Sequence, residues 1–219
     1  MPMEYVMEPR EEIKVQRKAY RGVLWLGIVS IIMLFAGLTS GYIVRQGEGK
    51  WVEFALPDMF ILSTVLIVLS SLPMQWALVS VKKGNNSGLR FGLLLTFLLG
   101  GAFVFTQYLA WSELFSQGIA FTSRIRDIKG EFTYIPSGEE TLSQVGEVSN
   151  VAASFLYVIT GLHVIHLLAG MIALIIVFSR AILSKYSENN YNGVRMCAIY
   201  WHFLGGLWVY LFFFLLYIR

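Results

Sequence analysis

Five long apolar runs decide what this chain can become. They cover roughly Gly22–Val44, Leu56–Val81, Leu89–Leu109, Val151–Phe178 and Met196–Ile218. Each reaches the ~20 residues that a helix needs to cross about 30 Å of hydrocarbon. In lipid, backbone N–H and C=O groups must pair within their own segment, so each run has to be helical. Barrel strands would alternate polar and apolar residues, and these runs do not. The expected fold is all-α, a polytopic membrane bundle of five transmembrane helices. Charge is scarce to match: 14% of the 219 residues, against about 25% in soluble domains.

The remaining segments give the layout. Residues 1–21 read as a polar N-terminal segment, helical near Glu11–Arg21. Residues 22–219 read as one five-helix membrane domain. The first apolar run is too long for a signal-peptide core, so no secretory signal is expected. Gly84-Asn-Asn-Ser-Gly88 predicts a tight turn between spans two and three, making them an antiparallel hairpin. The long loop 110–150 reads as extended chain. Its six acids outnumber its three bases, and its length predicts contact with a partner.

Basic residues set the orientation. The side holding the N-terminus carries Arg10, Lys14, Arg17, Lys18, Arg21, Lys82, Lys83, Arg90, Arg180, Lys185 and Arg195, 11 in all. The other side carries Arg45, Lys50, Arg124, Arg126, Lys129 and Arg219, 6 in all. The positive-inside rule then places the N-terminus in the cytoplasm and the C-terminus outside. The net charge of +3 reflects this asymmetry and gives no sign of nucleic-acid binding.

All three histidines, His163, His166 and His202, fall inside apolar spans, where ionisable groups usually mark function or a specific helix contact. Haem ligation would need one histidine from each of two helices at matching depth. At 1.5 Å per residue, His163 lies about 22 Å and His166 about 18 Å above the inner end of span four. His202 lies only about 9 Å above the inner end of span five. The offset predicts neutral histidines that bond neighbouring helices. A single such bond would cost about 1–2 kcal/mol on replacing His166 with Leu. Proton relays use intramembrane Asp or Glu, and no carboxylate lies well inside any span. Thr160, Gln107 and the serines and threonines of the first three spans can order water or bond backbone carbonyls, but hold no charge.

Gly37 and Gly41 form a G-x-x-x-G suited to close helix approach. Pro73 lies deep in span two, where a kink is expected. Trp51, Trp76, Trp111 and Trp201 fall near span ends and read as an aromatic belt. Cys197, the single cysteine, reads as a packing residue. No phosphate loop, zinc spacing, nucleophile triad or dinucleotide fingerprint is present.

Four motifs, in order, resemble those of subunit III of haem–copper oxidases. Leu56-Pro57, Leu62-Ser-Thr64 and Leu69-Ser-Ser71 resemble its L-P…N-T…S-S helix. Gln107 and Trp111 resemble its Q-x-x-E-W. Thr160-Gly-Leu-His-Val-Ile-His-Leu-Leu-Ala-Gly170 is similar to its T-G-x-H-x-x-H-x-x-x-G signature. Tyr200-Trp-His-Phe203, with Trp208, resembles its Y-W-H-F-V-D-x-x-W. The chain departs from the family at three carboxylate positions, where Ile31, Ala110 and Gly205 stand. Two further N-terminal helices common in the family are absent.

The resemblance implies a non-catalytic subunit of a bacterial cytochrome c oxidase in the inner membrane. It implies no catalytic, cofactor or metal residue in this chain. Haem and copper would sit in partner subunits I and II, with subunit IV or a larger respiratory supercomplex as further partners. Bound phospholipid and support of proton uptake are also implied. A quinol oxidase or nitric oxide reductase accessory subunit, and a stand-alone membrane haem protein, are the alternatives. His163, His166, His202, Thr160, Gln107 and Trp201 are the candidate intramembrane polar and helix-packing residues.

Overall fold

The computed structural model describes residues 9–136, 138, 145–188 and 190–218, with the backbone alone at 9–14 and 17. The polar segment before Pro9 and the loop acids Glu139 and Glu140 lie outside the described residues. Five long helices dominate: α1 Pro9–Gly47, α2 Met59–Lys82, α3 Asn86–Ser116, α4 Val151–Ile182 and α5 Asn192–Tyr217. Among the described residues, these five are long and apolar enough to cross a membrane.

Helix ends differ from the sequence reading because local polar chain does not force a helix to stop. α1 runs unbroken through the basic residues before Gly22, reaching 39 residues. At 1.5 Å per residue that is about 58 Å, far more than a bilayer core requires. α3 continues past Leu109 to Ser116, so the long loop is shorter than expected. The starts of α3 and α4 are sharper. Asn85 Oδ1 accepts from the Gly88 amide at 2.9 Å, and Asn150 Oδ1 from the Ala153 amide at 3.0 Å. Each satisfies a first-turn donor that the helix itself cannot.

Helices α2, α3, α4 and α5 form a closed ring, each packed on two neighbours, with α2–α3 the most extensive pair. Close approach depends on missing side chains. A Cβ at Gly92 would lie 2.7 Å from the Pro73 carbonyl oxygen of α2. One at Gly100 would lie 2.6 Å from Trp201 Cη2 of α5. Helix α1 lies outside the ring against α4 and α5. It buries one stripe, Ile28, Ile31, Phe35, Thr39 and Tyr42, at the spacing of a single helix face. The G-x-x-x-G expectation fails there: Gly37 faces open space, and Gly41 meets only the Phe155 ring.

The loops on the α1 C-terminal side are more ordered than the sequence suggested. Strand β1, Trp51–Phe54, pairs antiparallel with β2, Phe132–Ile135, in the register Trp51 with Ile135. Four-residue strands leave too short an alternation to read from sequence. Glu147 bridges Arg124 and Arg126, pinning the loop to the start of α4. On the opposite face, Arg90 of α3 donates to the Ala181 and Ile182 carbonyls at 3.1 and 3.2 Å, and to Ser184 Oγ at 3.0 Å. A guanidinium placed there satisfies orphan carbonyls at the negative end of α4.

Candidate functional site

One bonding pattern recurs around the ring. A serine or threonine hydroxyl donates to a carbonyl of its own helix, and its oxygen accepts from a long side chain on the next helix. Ser70 donates to the Ile67 carbonyl and accepts from Trp201 Nε1 at 2.9 Å. Thr64 donates to the Phe60 carbonyl and accepts from Trp208 Nε1 at 2.9 Å. Ser63 donates to that same carbonyl and accepts from Gln107 Nε2 at 2.7 Å. Thr160 donates to the Leu156 carbonyl and accepts from Trp111 Nε1 at 3.1 Å. The remaining seam, α4–α5, is closed by the Tyr200 hydroxyl, which donates to the His166 carbonyl at 3.2 Å. Every helix contact in the ring thus carries at least one bond. In membranes such bonds contribute about 0.6 kcal/mol on average.

Trp201 corrects the aromatic-belt reading. It is 1% exposed and wedged on Gly100, not lipid-facing. Trp51 is equally buried, its ring 4.7 Å from that of Tyr42. Trp76 does stand half-exposed beside Phe91. Gln107 and Thr160 are both fully buried. The serine and threonine acceptors were visible as residue types, but their partners depend on helix rotation, which composition does not reveal.

The histidines do not bond neighbouring helices through their rings. His166 Nδ1 lies 2.7 Å from the Leu162 carbonyl of its own helix. His163 is fully buried, and neither nitrogen has a hydrogen-bond partner. Phe35, Phe103 and Trp208 wall it in, with ring centroids at 6.5, 5.8 and 4.9 Å. Trp208 is therefore the α5 residue level with His163. His202 lies six residues earlier, about 9 Å along the helix axis, so the two imidazoles do not face each other. The aromatic walls leave His163 no room for a macrocycle. Among the described residues, no three His, Cys, Asp or Glu side chains converge as metal ligands would.

The chain is similar to known proteins over most of its length. Residues 128–219, spanning α4 and α5, match the family described as cytochrome c oxidase subunit III. A probable cytochrome c oxidase subunit 3 of Mycobacterium leprae is 28% identical over 201 residues, 90% of this chain and 86% of the relative. The cytochrome c oxidase subunit 3 of Thermostichus vulcanus is 27% identical over 84% of this chain and 80% of its own. That of Corynebacterium diphtheriae is 26% identical over 83% and 79%. Over most of its length the chain is thus similar to cytochrome c oxidase subunit 3 proteins, and its C-terminal part matches the subunit III family model. The three positions where the resemblance would place carboxylates all lie in the packed interior. Ala110 is fully buried, Ile31 is 9% exposed, and Gly205 is buried against Ser71 and Ile67.

Beyond the spans, Tyr186 lies in the α4–α5 loop and is 7% exposed. Burial raises its phenol above the usual range, while the nearby Arg180 guanidinium pulls the other way. No well-formed hydrogen bond reaches its hydroxyl.

Proposed function

We propose that this chain is the non-catalytic third subunit of a bacterial cytochrome c oxidase. It packs against the catalytic subunit, contacts lipid, and supports proton uptake and durability during turnover. Haem and copper belong to partner subunits I and II in this reading. The N-terminus and the α4–α5 loop face the cytoplasm of a bacterial plasma membrane, as the 11 to 6 distribution of basic residues favours. The observation that carries the proposal is a family likeness spanning nearly the whole chain, joined to an interior bonded by neutral groups. Relatives named for cytochrome c oxidases favour it over a quinol-oxidase or nitric-oxide-reductase accessory role. The test is purification through a tag on the catalytic subunit. This polypeptide should appear in fixed ratio to it, and its absence from an intact, active oxidase would refute the assignment. Deleting the gene should leave an oxidase that retains haem and copper spectra but loses activity faster during turnover.

A further inference from the structure

Helix α5 packs on both α1 and α2, while α1 otherwise packs on α4 and α2 on α3. A groove is left between α1 and α2, with the outward stripe of α5 as its floor. Arg195, His202 and Gly206 share that stripe, at spacings of seven and four residues. Gly206 is exposed, and a Cβ there would meet nothing within 4 Å. On the α1 side the seam is marked by the bond from Tyr210 to Thr39, and Ile43, four residues after Thr39, is exposed. Ser71 and Gln75 stand on the α2 wall. Ser71 Oγ lies 3.7 Å from the place a Gly205 Cβ would take, which sets the depth of the two helices against each other. His202 is three residues before Gly205 and Gln75 four after Ser71, so both lie within about 6 Å of that level, toward the same membrane face.

The neighbouring hydroxyls Ser70 and Thr64 are taken by the indoles of Trp201 and Trp208. Ser71, Gln75 and His202 have no hydrogen-bond partner among the described residues, although all three lie inside apolar spans. Gln75 is exposed, and Ser71 and His202 are half-buried. A polar group facing hydrocarbon forfeits its water bonds and gains none in return. The outward faces of α3 and α4 carry no such burden at this depth. They present Leu94, Leu98 and Phe105, and Ile165, Ile172 and Ile176. At the inner mouth of the groove, Arg195 is exposed and makes no ion pair among the described residues. Small residues admit close helix approach, and neutral polar side chains bond across it. We propose that this groove seats one transmembrane helix of a partner subunit. That helix crosses at Gly206, brings a neutral side chain that both donates and accepts (Ser, Thr, Asn or Gln) to His202 and Gln75, and carries an Asp or Glu beside Arg195. An acyl chain fits less well, because it brings no donor or acceptor to that depth. The inference rests on the proposed subunit role, from which it needs only that a complex supply the helix.

The test is photo-crosslinking in native membranes through a tag on this chain, with benzoylphenylalanine in place of Val68 or of Ile172. Val68 is exposed on α2, seven residues from Gln75 on the same face, and Ile172 is exposed on α4. The Val68 probe should join one transmembrane segment of another polypeptide, bearing the neutral hydrogen-bonding residue, and the Ile172 probe should not reach that segment. Gly206→Leu fills the floor without a clash inside the chain, so the thermal midpoint of the purified chain should hold while most of the crosslink is lost. Gln75→Leu and His202→Leu should each raise dissociation of that partner in detergent about 3-fold, the worth of one bond between membrane helices. A Val68 crosslink confined to lipid, or to a second copy of this chain, overturns the inference. So does a crosslink that survives Gly206→Leu unchanged. Absence of the chain from purified oxidase refutes the oxidase assignment alone, since the crosslink is read without the catalytic subunit.

Discussion

The ring of α2 to α5 and the outlying α1 are built from the same residue types but held by different means. Each seam of the ring joins glycine-allowed contact or ring packing to a side-chain bond. Helix α1 attaches through an aromatic stripe, with Phe35 against His163 and His166, and Tyr42 against Trp51, Phe155 and Phe214. A single side-chain bond joins it to the ring among the described residues, from the Tyr210 hydroxyl to Thr39 Oγ1 at 3.3 Å. Lipid tails are as apolar as side chains, so burial alone gives α1 little drive to stay. The ring should therefore behave as one cooperative unit, and α1 as the helix that yields first.

Mutations can break or sharpen that contrast. The largest effect is expected for Trp208→Ala, which empties a fully buried site and removes the bond to Thr64. A loss of ~3–5 kcal/mol is expected for such a truncation, read as a lowered unfolding midpoint in detergent. Gly100→Val should cost ~1–3 kcal/mol by driving branched carbons into Trp201, with a shift in tryptophan fluorescence as the direct readout. Arg90→Met strips three donors from the end of α4 and should cost about 1–2 kcal/mol, with faster proteolysis of the 183–191 loop as the marker. Tyr210→Phe removes only the α1 tether and should cost about 0.6 kcal/mol, detected as faster hydrogen exchange in α1 but not in α2. If exchange rises equally in both helices, α1 is part of the cooperative unit and the contrast fails. His166→Leu should cost less than about 1 kcal/mol, because its ring bonds only its own helix.

The spans themselves were legible because hydrocarbon imposes a length and a composition that no other setting requires. The motif-bearing residues Gln107, Thr160 and Trp201 were legible as polar or amphipathic groups in an apolar background. What stayed hidden depends on rotation and depth. Nothing in the spacing of Trp201 distinguishes a belt residue from a core wedge; that is decided by Gly100, about a hundred positions away, leaving room for the indole. The histidine ring bonds were misplaced for a related reason. An imidazole four residues after a carbonyl on its own helix needs no neighbour, and His166 takes that local option. The β1–β2 pairing joins two loops far apart in sequence, and neither strand signals its partner.

The indole latches also carry a consequence for how the chain is made. Trp201 and Trp208 belong to the final helix, while their acceptors Ser70 and Thr64 emerge from the ribosome well over a hundred residues earlier. Until the last segment is inserted, the second helix waits in lipid with its principal partner unborn. The C-terminal rod is the keystone of the nascent protein, and a chain halted before it should be recognised as unfinished.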